Sequence, residues 1–160
     1  MLKELLLKKA KGLPVVDKPV DVHRFIEARI GEVIFAVELD NVKELVGVPS
    51  IGPVPGAPFN ILGIFSLRGE IVTVLDIREK FNVSNVMKTP LSRVIVISVF
   101  QELIGLFVDE APRILDIPKS DFVEINSDAY ESMFLYQVKF DNRNLGVLNI
   151  EKMYFDYKIM

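Results

Sequence analysis

The chain has 160 residues, half of them hydrophobic, a mean hydropathy of +0.32 and a net charge of −3. That is enough apolar material for one domain, or for two small subdomains sharing a core. The absence of cysteine rules out a disulfide framework, a thiolate metal site and a thiol nucleophile. The acidic balance does not suit the many phosphate contacts of a nucleic-acid binder, and no apolar run approaches the roughly 20 residues of a membrane span.

In chain order, residues 2–11 predict a short amphipathic helix with Leu2, Leu5, Leu6 and Lys9 on one stripe, ended by Gly12 and Pro14. Lys3, Lys8, Lys9 and Lys11 make it basic. It lacks the basic start and cleavage site of a signal peptide, and residues 1–20 read as a lead-in to a domain over 21–157. A helix this short must dock to persist, either on its own domain or by self-association through residues 1–13; a membrane surface is the less favoured alternative. Strands are expected at Val22–Ile30 and, after the Gly31 turn, at Glu32–Leu39. Asp40 is placed to cap one helical turn over Asn41–Val46. The Gly47–Pro58 segment, with Gly52-Pro53-Val54-Pro55-Gly56 at its centre, is a loop. Its Val48 and Ile51, with Val54 and Phe59, either offer a partner site or close the bottom of a barrel.

The segment Gly63 to Arg78 is the most informative. It reads as two short apolar strands joined at Arg68-Gly69, with glycine supplying the positive φ that a tight hairpin needs. Both faces of the second strand are largely apolar, which makes the hairpin central to the fold. A brief helix over Ile77–Phe81 follows, then a polar junction near 82–90. Strands are expected at Ser92–Val99, Leu103–Val108 and Arg113–Ile117, an acidic loop at Ser120–Glu131, a last hairpin at Met133–Phe140 and Asn144–Ile150, and a short helix around Glu151–Tyr154.

Two stretches repeat. Val74-Leu75-Asp76-Ile77 meets Val147-Leu148-Asn149-Ile150 at an offset of 73, and Ala36 to Val42 meets Gly105 to Ala111 at an offset of 69. The shared order argues for an internal duplication with a small insertion in the second copy. Short strands with turn signals at this spacing indicate small β-barrels.

Leu67-Arg68-Gly69, with Gly63 before it, an apolar strand after it and Asp76-Ile77-Arg78 closing it, resembles the signature of the CheW family of chemotaxis coupling proteins. The likeness runs from about Phe25 to Tyr154 and includes Val33–Leu45, Ile104–Asp109 and Val147–Lys152. It implies an all-β fold of two intertwined five-stranded SH3-like barrels with short helices. It also implies a non-enzymatic cytoplasmic adaptor at membrane-associated receptor arrays, linking chemoreceptor tips to the regulatory domain of the histidine kinase CheA. By position, receptor contact falls to Val42, Glu44, Gly63, Ser66, Leu67, Arg68 and Gly69, and kinase contact to Val46 and Val48. No cofactor, metal, nucleic acid or membrane insertion is implied. Ser66 stands where the family usually has asparagine, Met133–Phe140 replaces a glycine-containing strand, and the N-terminal lead-in is long. These departures leave open a non-motility pathway such as surface movement or pilus control. Arg68 has two readings, a direct contact to a receptor or a tie that bonds carbonyls across the barrel junction.

Other chemistries find little support. His23 is the single histidine and has no neighbouring serine, so it reads as a surface residue. Asp109-Glu110 and Asp116 could form a hydrolytic carboxylate pair but read as solvated turn acids. Asp121, Glu124 and Asp128 lack the ligand order of a calcium loop. The prolines of the 52–56 loop lack the amide donors of a phosphate cradle. Phe25, Phe35 and Phe59 lack the accompanying basic residues of a nucleic-acid-binding barrel.

Overall fold

The computed structural model describes residues 21–84, 88–125 and 133–159. The helix expected over 2–11, the rest of the 1–20 lead-in with its self-association, and Asp128 lie outside the described residues.

Eleven strands follow one another: β1 (Val22–Ile30), β2 (Val33–Glu38), β3 (Val42–Gly47), β4 (Ile61–Leu67), β5 (Glu70–Leu75), β6 (Arg93–Val99), β7 (Glu102–Val108), β8 (Glu110–Pro118), β9 (Phe122–Val123), β10 (Phe134–Phe140) and β11 (Arg143–Leu148). A helix, α1 (Ile150–Ile159), ends the chain. One sheet has the order β3-β6-β7-β5-β4 and the other β8-β1-β2-β11-β10-β9. The second therefore has six strands where five were expected, because the two-residue β9 adds an outer rung to β10.

Each sheet draws strands from both halves of the chain. The repeat makes the reason plain. If β1 to β5 are matched in order with β6, β7, β8, β10 and β11, the order of the five-stranded sheet turns into that of the other sheet without β9. Even the parallel pairs correspond, β5 with β7 and β11 with β2. Local bonds follow the same offset of 73: the Asp76 N–H donates to the Asn60 carbonyl at 2.8 Å, and the Asn149 N–H to the Met133 carbonyl at 2.6 Å. The isolated Gly52–Ile64 bridge matches the Val123–Gln137 pair of β9 and β10 as well.

Apolar side chains on both faces of each sheet create three packed regions. Between the sheets lies a shared core that includes Ile26, Phe35, Leu75, Ile97, Leu106 and Leu148. The five-stranded sheet curls around Phe65, Val72, Val74, Val94, Val96 and Phe107. The six-stranded sheet curls around Phe25, Ala36, Leu115, Val138, Leu145 and Val147. We call these the first and second barrels.

The helical turn expected over Asn41–Val46 is a correction. A 3-10 turn occupies Leu39–Asn41, with no side-chain cap from Asp40, and the chain is already extended at Val42. Residues 42–47 form β3, alternating half-buried Val42, Glu44 and Val46 with outward Lys43, Leu45 and Gly47. Pairing with β6 supplies backbone bonds that a single isolated turn could not match. The helix expected at Ile77–Phe81 is a 3-10 turn over Arg78–Phe81, and the final helix outlasts its expected span by a turn.

Candidate partner-binding site

The β4–β5 hairpin turns at Arg68 (φ 50°) and Gly69 (φ 83°), both left-handed, the geometry whose twist matches that of the flanking strands. The turns at Phe100-Gln101 and Asp141-Asn142 do the same without glycine. The Arg68 side chain is 78% exposed, and its Nη1 lies 3.1 Å from Oε2 of Glu44 while Nη2 donates to Oε1 at 3.3 Å. Beside it Lys43 Nζ reaches Glu70 Oε2 at 3.4 Å. The two ion pairs join the hairpin tip to β3, so they clasp the outer edges of the five-stranded sheet. Arg68 thus finds a carboxylate within its own barrel, and the bonds to carbonyls across the barrel junction do not occur among the described residues.

Gly63 is buried, and a Cβ there would stand 2.3 Å from the Gly52 carbonyl. Its part is to admit the 47–58 loop, whose Gly52 exchanges bonds of 2.8 and 2.9 Å with Ile64. Val48 and Ile51 of that loop pack on the first barrel's interior, whereas Val54 and Phe59 are exposed. Val42 packs on the shared core, and Leu67 and Val46 on the first barrel's interior. Ser66 and Gly69 are exposed.

Of the residues expected to meet partners, the structure therefore gathers Glu44, Ser66, Arg68 and Gly69 at one surface. It adds others the sequence reading passed over. Ile71 is 59% and Leu45 39% exposed. Ile71 also lines a groove with Lys43, Glu70, Thr73, Gln101 and Leu103 on the five-stranded sheet. The outward half of the β3 alternation would have revealed Leu45 had that segment been read as a strand.

At the end of β5 and β7 away from the hairpin tip sits a buried ion pair. Arg78 donates through Nη2 to Asp109 Oδ1 at 3.0 Å and through Nη1 to Oδ2 at 3.3 Å, and both side chains are less than a tenth exposed. The Gly31 N–H donates to Asp109 Oδ2 at 2.7 Å, and the Asp109 N–H to the Arg29 carbonyl at 2.9 Å. Burial pushes the Asp109 carboxyl up, but the Arg78 and Gly31 hydrogen bonds and the Arg78 and Arg29 charges more than offset this, leaving it below its ordinary 3.8. Burial likewise opposes the Arg78 charge, and Asp109 with Asp76 outweighs it. Asp109 is no solvated turn acid. It joins the β1–β2 turn, the β7–β8 junction and the end of the signature hairpin.

The second barrel has an acidic centre of its own. Buried Glu27 accepts from Arg113 at 2.8 Å and from Arg143 at 3.3 Å. Through the repeat, Arg113 corresponds to Glu44, Asp141 to Arg68 and Arg143 to Glu70, so the two hairpin tips and the strands β3 and β8 carry opposite charges at these places.

The CheW-like domain model matches residues 24–156. The chain belongs to the CheW-like family. The chemotaxis protein CheW of Rhizobium meliloti is 26% identical over 132 residues, covering 81% of this chain and 85% of the relative. That of Treponema pallidum is 24% identical over 102 residues, and the match spans 61% of this chain and 60% of the relative. Among solved structures, the scaffolding protein TtCheW from Thermoanaerobacter tengcongensis superposes with a TM-score of 0.73 at 22% identity, over 83% of this chain and 87% of that one. The CheW-like fold therefore holds although three quarters of the side chains differ. Among the described residues no helix is long and apolar enough to cross a membrane.

Proposed function

We propose that this CheW-like chain is a non-enzymatic cytoplasmic adaptor that couples chemoreceptor tips to the regulatory domain of the kinase CheA at receptor arrays. The observation that carries this reading is the exposed Arg68-Gly69 tip, held by Glu44 beside the groove under Ile71. A receptor tip is a helical hairpin, and a groove in which Ile71 and Leu103 lie among polar and charged side chains suits the mixed surface of such a helix. Individual contacts can be weak where an array supplies many linked attachments. The family implies that the kinase's regulatory domain shares the double-barrel fold. Opposite charges on equivalent hairpin tips favour pairing the first barrel of one such molecule with the second barrel of the other. Kinase contact then falls to the outer face of β3, with Leu45 replacing the inward Val46 and Val48 as the residue to test.

Calorimetry against the CheA regulatory domain tests the kinase half. Saturable binding, weakened at least tenfold by Leu45→Glu in a chain of unchanged melting temperature, is the expected result. Receptor capture that survives Ile71→Asp and Arg68→Ala would remove the groove from the reading.

A further inference from the structure

At the end of the second barrel away from the Asp141-Asn142 turn, a cleft opens between β1, β2, β9 and β10. Its aromatic wall is built from Phe122 stacked on Tyr136 at 5.0 Å between ring centres, with the edges of His23 and Phe25 against Phe122 at 5.1 and 5.8 Å. His23, read from sequence as a surface residue, is exposed, and its ring edge belongs to this wall. Glu38 and Asp40 line the cleft beside these rings. Glu38 is held in place, accepting from the Tyr136 hydroxyl at 2.8 Å and from Asn41 at 3.3 Å. Asp40 has no partner among the described residues. The cleft's one arginine, Arg24, is engaged by Asp116 at 3.1 Å.

The duplication supplies an internal comparison. In the first barrel the position of Glu38 is taken by Phe107 and that of Tyr136 by Gly63, so that end is apolar and sealed by the Gly52–Ile64 bridge. The counterpart of Asp40 is Asp109, which receives a guanidinium from Arg78. The position that corresponds to Arg78 in the second copy is Glu151. One half of the molecule therefore brings its own arginine to this aspartate. In the other half the sequence equivalent of that arginine is an acid, and an aromatic cleft opens beside Asp40.

We propose that this cleft receives an arginine side chain presented by a partner protein. The planar guanidinium stacks against the Phe122–Tyr136 wall and pairs with Asp40 and Glu38, a combination that a rigid, weakly hydrated cation satisfies better than an ammonium. The inference lies on the opposite end of the second barrel from its charged tip and does not depend on the coupling role.

The test titrates the full chain with N-acetyl-arginine amide and, separately, with its uncharged isostere N-acetyl-citrulline amide, following backbone amides by NMR. Saturable shifts confined to the neighbourhood of Phe25, Leu39, Asp40, Phe122 and Tyr136, from the arginine probe alone, are expected. Asp40→Asn, which leaves the Tyr136–Glu38 bond intact, should weaken the response at least tenfold, and Glu38→Gln should do likewise in a chain that still melts cooperatively. Equal shifts from both probes, shifts spread over the surface, or an unchanged response in Asp40→Asn would overturn the proposal. A response seen only after deletion of residues 1–18 would overturn it too, by assigning the cleft to the chain's own lysines.

Discussion

Asp109 and Arg68 show how differently two charged residues can serve one protein. The Asp109–Arg78 pair is buried, so removing Asp109 leaves the Arg78 charge away from water with Asp76 as its remaining partner among the described residues. Asp109→Asn should cost about 3 kcal/mol, read from the urea midpoint at neutral pH. The pH dependence follows from the carboxyl's lowered pKa. Its contribution is complete above the ordinary carboxylate range and is lost as pH falls through the folded value, below about 4. The stability gap between the native chain and Asp109→Asn should therefore narrow only as pH falls below about 4, and a constant gap there would remove the ion pair as its cause. Arg68 is the opposite case. Its guanidinium is largely solvated although Glu44 is partly buried, so Arg68→Ala should cost about 1 kcal/mol while receptor capture fails. A large drop in stability would make Arg68 a structural clasp first. Gly63→Ala belongs with Asp109, because a methyl pressed against the Gly52 carbonyl should cost about 1–3 kcal/mol.

Among the elements, the β3 strand offers the sharpest test. Val46→Glu drives a charge toward the first barrel's interior and should lower the melting temperature by several degrees. Leu45→Glu, one residue away on the outer face, should change stability by no more than about 0.5 kcal/mol. Equal effects would mean that β3 does not hold its alternation in solution. This strand also marks where sequence reading ran out. The hairpins were legible because a period of two and a turn residue are local signals, and the Arg68-Gly69 turn, both faces of β5 and the offsets of the repeat could all be read from neighbouring residues. β3 was hidden because Asp40 looks like a helix cap and the deciding partner, β6, lies about fifty residues on. The same holds for the site. Arg68 and Glu44 were visible as a motif, whereas their pairing and the exposure of Ile71 and Leu45 depend on strands meeting across the sheet. Asp109 was misjudged for a like reason, since its bonds reach 31 and 78 residues along the chain.

For the molecule as a whole, strand exchange means that neither half contains a finished sheet. The first half holds β3 and the β4–β5 hairpin, but β6 and β7 from the second half lie between them. Fragments 1–84 and 88–160 should each lack cooperative melting alone and should recover it when mixed in equal amounts. A fragment that melts cooperatively by itself would mean that one barrel closes without its neighbour. Pairings so distant in sequence also predict slow folding, in the millisecond-to-second range of other high-contact-order β proteins. The matched strand orders have a consequence of another kind. A half-length chain of this pattern would need a twin to complete its sheets, giving a two-fold dimer whose ends were identical by symmetry. Joined in a single chain, the twins are released from that identity. Glu44 can become Arg113 and Arg68 can become Asp141, and what symmetry would have kept alike acquires a head and a tail.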